Sequence, residues 1–336
     1  MLRNLPMILL AAWAIPSCQQ PVEDDVSPLP PAAPQRYAYQ DPRTTVWRVF
    51  EGDGDFRPLV QAVPGGLIEW TSGSVVGEGR GLAKGNTPQD GLMARRAARI
   101  LAARNALLAT GGIAVGPGGV FQNVSNGTIR LDAVLRDFQE IRSDFDPAMR
   151  SATSAVRIPL YGARGLVRIA GLDLRDAPRP WNWGEAPAGG PQETKTIVMD
   201  LRGSMVKPVL LPRFLTAAGE CVFDPSELGV DELTWRPAAT YVEYHGRRLD
   251  GAGAAGALVK VPPPGRPGDQ AFADSVERSF PGAVIFWGCR AGSQSGSVAL
   301  SADVVEYLRA HPQARQVFRS GKVVLVVRPV AAADVP

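Results

Sequence analysis

The sequence predicts an α+β fold: a small domain with a long helix on an antiparallel sheet, then a second strand-rich α+β domain. Three observations support this class: a hairpin followed by a capped helix in the first half, apolar strand patterns in the second, and no regular strand–helix alternation. Of the 336 residues, 45% are hydrophobic and 21% charged, as in a globular protein. The net charge of +3 gives no electrostatic reason to expect nucleic acid as a partner.

Residues 1–17 have the pattern of a secretory signal. Arg3 precedes an uncharged apolar run that is too short to cross a bilayer as a helix. The segment Ile15-Pro16-Ser17-Cys18 resembles the bacterial lipobox, apart from Pro16, and this implies cleavage before Cys18 and acylation of that cysteine. Gln19 in place of an aspartate implies the outer membrane, with the chain facing the periplasm. The alternative is a plain secretory signal with Cys18 as an incidental thiol.

Residues 18–44 are predicted to be a flexible tether, because they are rich in proline and polar residues and poor in apolar ones. The first folded domain is placed at residues 45–172. Gly66–Trp70 and Ser74–Gly79 flank a turn at Ser72-Gly73 and are predicted to pair as a hairpin.

A helix is predicted to follow this hairpin. Thr87 can cap it, Pro88 fits its first position, and Asp90 completes a capping-box pattern, while Gly111-Gly112 marks its end. Its large apolar side chains recur at helical spacing and are expected to face the core: Met93, Ala97, Ile100, Leu101, Leu107 and Leu108.

The stretch 131–141 fits two structures. Leu131, Val134, Leu135 and Phe138 have a helical period that continues to Ile141 and Phe145, which favours a helix, whereas residues 129–133 alternate like a strand. Ala155–Leu160 is predicted to be a strand, with Pro159 at its end or on an edge.

A linker is predicted at residues 173–193, where prolines and glycines surround Trp181 and Trp183. These tryptophans either pack within the chain or contact a ligand. The second domain is placed at residues 194–330. Its predicted elements are strands at Thr196–Gly203, Val209–Leu211, Tyr241–Tyr244 and Lys322–Val327, a short helix capped by Ser301 with Val304, Val305 and Leu308 inward, and a second short helix after Pro312.

The chain resembles the Lpp-twenty family of bacterial lipoproteins and the related N-terminal domain of flagellar assembly protein T. The resemblance lies in Ile68-Glu69-Trp70, Gly77-Glu78-Gly79, residues 94–107, Val156–Leu160, Asp200–Gly203 and the closing residues 300–324. It implies a small α+β domain with the long helix packed on a sheet, and a strand at Leu131–Ile141. It also implies an envelope lipoprotein or basal-body-associated protein, and it brings no catalytic residue.

The sequence contains few patterns typical of catalytic or metal-binding sites. With His245 and His311 as the only histidines, no HExxH pair or histidine cluster can form, so we expect no metal site and no cofactor. Cys221 and Cys289 either form a disulfide or remain two separate thiols. Asp200 and Arg202 are expected to share one face of a strand and to form a structural ion pair.

The leading functional hypothesis is therefore a non-enzymatic, lipid-anchored scaffold or adaptor of the bacterial envelope, with the membrane and an envelope protein as partners. Three alternatives stay open. They are a flagellar basal-body accessory, a binding module for peptidoglycan or a small ligand with Trp181 and Trp183 as contacts, and an envelope enzyme whose carboxylates pair only in the fold.

Overall fold

The protein is a mixed α+β structure, as predicted, in which strands predominate. The computed structural model describes residues 55–116, 119–120, 138–162, 165–167, 195–228, 237–246, 259–261 and 269–328. The strands in this part of the chain are β1 (Phe56–Pro58), β2 (Val60–Val63), β3 (Gly66–Glu69), β4 (Ser74–Leu82), β5 (Ala114–Gly116), β6 (Gly119–Val120), β7 (Gln139–Asp146), β8 (Ser151–Pro159), β9 (Thr196–Asp200), β10 (Arg213–Leu215), β11 (Cys221–Phe223), β12 (Thr240–Tyr244), β13 (Val259–Val261), β14 (Ala283–Phe286), β15 (Arg290–Ala291), β16 (Ser297–Ala299) and β17 (Val323–Val327). The helices are α1 (Pro88–Thr110), α2 (Asp269–Ser279), α3 (Ala302–Ala310) and α4 (Pro312–Arg319), with a 3-10 turn at Pro225–Leu228.

An antiparallel sheet of order β2-β3-β4-β8-β7 carries α1. The predicted hairpin is confirmed: β3 pairs with β4 in antiparallel register, and the turn between them contains Gly73 at a φ of +61°. Strand β8 pairs with β4 along nine residues, from Ser151 opposite Leu82 to Pro159 opposite Ser74. Pro159 therefore ends β8, as predicted, in the interior of the sheet.

The start of α1 is also confirmed. Thr87 is the N-cap and accepts a hydrogen bond from the Asp90 amide at 3.2 Å, while its own amide donates to Asp90 Oδ2 at 3.2 Å. Pro88 occupies the first helical turn, where no intrahelical N–H partner exists. The helix ends at Thr110, and its C-cap Gly111 has an ordinary right-handed φ of −61°.

The prediction of which face of α1 is buried was wrong. Met93, Ile100 and Leu108 are 58%, 60% and 57% exposed. The buried face consists of small side chains instead, at Ala94, Ala98, Ala102, Ala103, Ala106, Ala109 and Thr110.

Three glycines of β4 explain this orientation. A Cβ added at Gly77 would lie 2.2 Å from the amide nitrogen of Ala106, and one added at Gly79 would lie 2.3 Å from that of Ala102. At Gly81 the same atom would lie 2.1 Å from the carbonyl oxygen of Ala94. The backbones of helix and strand thus approach closely, and large side chains do not fit between them. The sequence pattern predicted that the larger apolar side chains of α1 would face the sheet. The close approach of the two backbones leaves room only for the alanines.

The described part of the ambiguous stretch is a strand. Residues 139–146 form β7, which pairs with β8 across an irregularity between Glu140 and Arg142. The helix favoured by periodicity is therefore wrong from residue 139 onward, and residues 131–137 lie outside the described part. The spacing of Ile141 and Phe145 does not distinguish the two structures, because side chains four residues apart lie on one face in a strand as well as in a helix.

A largely parallel sheet has the order β1-β12-β17-β9-β14-β13, and all of its strands except β1 come from the second half of the chain. Strands β12, β17, β9, β14 and β13 run parallel, and only β1 is antiparallel to its neighbour. Every residue of β14 and β17 is buried, which is typical of parallel strands covered on both faces. The predicted strands at the start of residues 196–203, at 241–244 and at 322–327 are present. Val209–Leu211 is not a strand, although the Leu210 and Leu211 amides bond to the carbonyls of Ala114 and Val115.

The closing helices were predicted well. Ser301 accepts the Val304 amide at 3.4 Å as the N-cap of α3, and Val304 and Leu308 are buried while Val305 is half-buried. Helix α4 begins at Pro312, as expected.

Side chains from both sheets enter one hydrophobic core. The ring of Trp70, beside the antiparallel sheet, lies 5.9 Å from that of Tyr241 on β12. The hydroxyl of Thr71 donates to the carbonyl oxygen of Tyr241. The domain boundaries drawn from composition stay a prediction.

Candidate functional sites

The outer face of α1 is an exposed apolar surface. We define it by the exposed apolar side chains of Met93, Ala97, Ile100 and Leu108. Leu101 and Leu107 are half-buried, and Leu107 packs against the core. A row of apolar side chains in water costs free energy unless something covers it, so such a surface commonly marks a contact site.

Arginines give α1 a positive charge. The helix contains Arg95, Arg96, Arg99 and Arg104, and Asp90 is its only acidic residue. Arg95 and Arg99 turn toward β7, where Arg95 lies over the Phe145 ring at 5.8 Å and Arg99 contacts Glu140 at 3.8 Å. Arg96 and Arg104 are exposed, and within the described part of the chain neither forms an ion pair.

A second candidate site lies at the carboxyl edge of the parallel sheet, which we define as the edge where Asp200, Tyr244 and Phe286 end their strands. Arg202, in the turn after β9, donates from Nε to Asp200 Oδ1 at 2.7 Å and from an Nη atom to Oδ2 at 3.1 Å. The ion pair predicted from the sequence is therefore formed, although Arg202 lies in the turn rather than on the strand. A two-point Arg–carboxylate pair fixes the orientation of the guanidinium group.

Three aromatic rings surround the Arg202 guanidinium. Its Cζ lies 3.8 Å from the centroid of Phe272 on α2, 5.1 Å from that of Tyr244 and 6.0 Å from that of Trp287. The rings come from three segments that are distant in sequence, and only the strand order of the parallel sheet brings them together. No local pattern in the sequence could have revealed this cluster.

A neighbouring ion pair reinforces this edge. Asp55 is 7% exposed, and its Oδ2 accepts from Arg278 at 2.9 Å and from the Ser275 hydroxyl at 2.6 Å. The Tyr244 hydroxyl lies 3.5 Å from that of Ser275. Asp200 and Asp55 are thus both bound by arginines, an arrangement that positions the side chains around them.

Cys221 and Cys289 are free thiols, so the disulfide alternative is wrong. Cys221, Leu215, Ala299 and Arg290 lie opposite one another across the sheet of order β11-β10-β16-β15. Three strand spacings separate Cys221 from Arg290 by about 14 Å. Cys289 adjoins Arg290, and one residue spans only about 3.8 Å. The two Cα atoms are therefore well beyond the roughly 7 Å that a disulfide can bridge.

Both thiols are in environments that disfavour ionisation. Burial raises the pKa of Cys289 to about 12, and the nearby Asp200 carboxylate acts in the same direction. Burial also raises the pKa of Cys221 to about 11, helped by Asp224. A nucleophilic cysteine requires the opposite shift, so neither environment favours covalent catalysis.

Two acidic residues, Asp224 and Glu227, lie near Cys221. Glu227 Oε1 accepts from the Asp224 amide at 3.2 Å, and burial raises the pKa of Glu227, with the Asp224 charge adding to the shift. Asp224 is bound by Arg213, and Glu227 lies 3.5 Å from Arg319. Each of these two acidic side chains is held by an arginine.

Other predicted features fall outside these sites. Cys18, Trp181 and Trp183 lie outside the described residues. In the described ranges, no three His, Cys, Asp or Glu side chains are grouped closely enough to hold a metal ion. None of the helices described above is both long and apolar enough to span a membrane.

The sequence matches no protein-family model, and a comparison with curated proteins finds no relative. The functional argument therefore depends on the geometry and on the N-terminal sequence.

Proposed function

We propose that the chain is a non-enzymatic adaptor of the bacterial envelope, held at the outer membrane by lipid on Cys18 and facing the periplasm. The observation that supports it best is the outer face of α1, where Met93, Ile100 and Leu108 are more than half exposed. A helix that leaves several large apolar side chains in water presents a surface for another component.

The chemistry of the interior agrees with this proposal. Two carboxylates of the second sheet are bound by arginines, Asp200 by Arg202 and Asp55 by Arg278. Such pairs orient loops at a sheet edge and stabilise their own geometry. Lipid on Cys18, at the end of the lipobox-like segment, would attach the chain to the membrane. Residues 18–44 would connect this anchor to the folded part.

Two experiments in an expressing bacterium test the adaptor. Metabolic labelling with a palmitate analogue should label the wild type, and Cys18→Ala should abolish the label. Photo-crosslinkers placed at exposed positions on several faces, followed by recovery from envelope fractions, should then identify a partner protein. An unlabelled, soluble wild type that crosslinks to no envelope protein would rule the adaptor out.

A second candidate function is binding of a small ligand at the carboxyl edge. Trp287 is 5% exposed, and its Nε1 has no acceptor among the described residues. Ligands of open α/β sheets bind beyond the carboxyl ends of the strands. The test is a thermal-shift screen with peptidoglycan fragments, comparing wild type with Trp287→Phe, which keeps a ring but removes the donor. Stabilisation of the wild type alone would support this site, whereas equal responses would exclude it.

A further inference from the structure

The outer face of α1 combines two chemistries along one side of a helix of 23 residues. Met93, Ile100 and Leu108 project apolar side chains into solvent, and Arg96 and Arg104 lie among them. The alanine face on the other side fixes the helix against β4, so this exposed face keeps one orientation relative to the sheet.

Two acidic groups on β7, the strand that Arg95 and Arg99 face, are already paired. On β7, Glu140 contacts Arg99 at 3.8 Å and Asp144 accepts from Arg142 at 2.6 Å. The charge that remains directed outward from the helix is therefore that of Arg96 and Arg104. An apolar row edged by arginines is complementary to a surface that is apolar inside and anionic at its boundary.

We propose that the outer face of α1 lies against a membrane surface containing anionic phospholipid, as a second contact beside the lipid on Cys18. This inference depends on the proposed location at a membrane. A basic, apolar patch is one of the signals that strengthen the anchoring of a lipidated protein at a membrane. Apolar burial of the row and attraction of the arginines to the headgroups both favour this contact.

The charge of α1 argues against a second copy of the chain on this face. Two such faces packed against each other would bring four outward arginines together, Arg96 and Arg104 from each copy, with no acidic partner on either face. An anionic surface relieves that repulsion. A protein partner on this face remains an outcome that the experiments below can report.

The first experiment measures sedimentation of the chain from residue 18 onward, carrying Cys18→Ser to prevent acylation, with phosphatidylcholine vesicles that contain or lack phosphatidylglycerol. We expect binding to increase with phosphatidylglycerol and to fall with salt. Each arginine at an anionic surface contributes about fivefold to partitioning. Arg96→Gln with Arg104→Gln should therefore lower binding about 25-fold, whereas Arg290→Gln with Arg309→Gln, on exposed positions elsewhere, should not change it.

The second experiment locates the contact. A polarity-sensitive fluorophore is attached at Ile100→Cys, or at Met205→Cys as a control that is 85% exposed, in chains that also carry Cys18→Ser and Cys221→Ser. Vesicles with phosphatidylglycerol should shift the emission of the probe at residue 100 to the blue and leave the probe at 205 unchanged.

Three results would overturn the inference: no shift at residue 100, a shift that follows protein concentration without vesicles, or an envelope protein crosslinked through residue 100. The first would leave the face unbound, the second would assign it to a second copy and the third to a protein. None of them depends on acylation, so failure here is distinct from loss of the palmitate label.

Discussion

A methyl group at Gly79 would meet the backbone of α1, because a Cβ there would lie 2.3 Å from both the Ala98 carbonyl oxygen and the Ala102 amide. We expect Gly79→Ala to lower the free energy of unfolding by about 1 to 3 kcal/mol, as overpacking does in well-packed cores. Denaturation by urea, followed by circular dichroism, measures the change.

Gly91 provides the matched control within α1. A Cβ there would meet only the Phe145 ring at 3.5 Å, which is ordinary van der Waals contact. Gly91→Ala should therefore stabilise the protein by about 0.5 to 1 kcal/mol, through helix propensity. If both substitutions shift the urea midpoint in the same direction, the close helix–strand approach is incorrect.

Neither Cys221 nor Cys289 should need a reductant before its thiol can be modified. In a Cys18→Ala chain at pH 8, we expect the half-buried Cys221 to react slowly and the buried Cys289 to react only after denaturant is added. Quantitative thiol titration with and without a reductant distinguishes this from a disulfide, which would yield thiols only after reduction.

The raised thiol pKa values also predict a pH dependence of stability. The unfolded thiols ionise near their ordinary pKa of 9.0, whereas the folded ones remain protonated up to about 11 and 12. The unfolded state therefore loses protons first, and stability declines as the pH rises above 9. Cys221→Ser combined with Cys289→Ala should reduce this decline. An unchanged alkaline slope would contradict it.

At the scale of elements, the sequence correctly predicted where α1 begins but not which of its faces is buried. Thr87, Pro88 and Asp90 define its start through local hydrogen bonds and backbone geometry, which are encoded within four residues. The buried face depends instead on Gly77 and Gly79 of β4, which are distant in sequence and act through their lack of side chains. Periodicity identifies an apolar stripe but cannot tell whether that stripe faces inward.

The orientation of α1 can be tested by a smaller side chain on its exposed face and a larger one on its buried face. Ile100→Ser should change the unfolding free energy by less than about 0.5 kcal/mol, because that side chain is 60% exposed. Ala102→Leu should destabilise by about 1 to 3 kcal/mol or more, since residue 102 is fully buried against the glycines of β4. The reverse ranking in urea denaturation would restore the orientation predicted from periodicity.

The group of side chains around Arg202 at the carboxyl edge could be predicted only in part from the sequence. Asp200 and Arg202 are two residues apart, so their pairing could be predicted. The rings of Phe272 and Trp287 join them because β14 lies beside β9, and that order follows from long-range strand pairing. Composition and local pattern carry no information about which strands become neighbours.

At the scale of the whole molecule, Tyr241 connects the two sheets. It is 1% exposed, its hydroxyl exchanges hydrogen bonds with the backbone of Val209, and its ring contacts that of Trp70. A core shared in this way should couple the unfolding of both sheets. Amide exchange measured by mass spectrometry across a urea series should therefore show β4 and β17 losing protection at the same midpoint.

Tyr241→Ala tests the same coupling from the interior. Removing a buried aromatic side chain typically costs about 3 to 5 kcal/mol. We expect the midpoints of β4 and β17 to fall together, because the cavity lies in a core to which both sheets contribute. If only β17 were affected, or if the two strands had separate midpoints in the wild type, the segments 45–172 and 194–330 would fold independently, as their composition predicts.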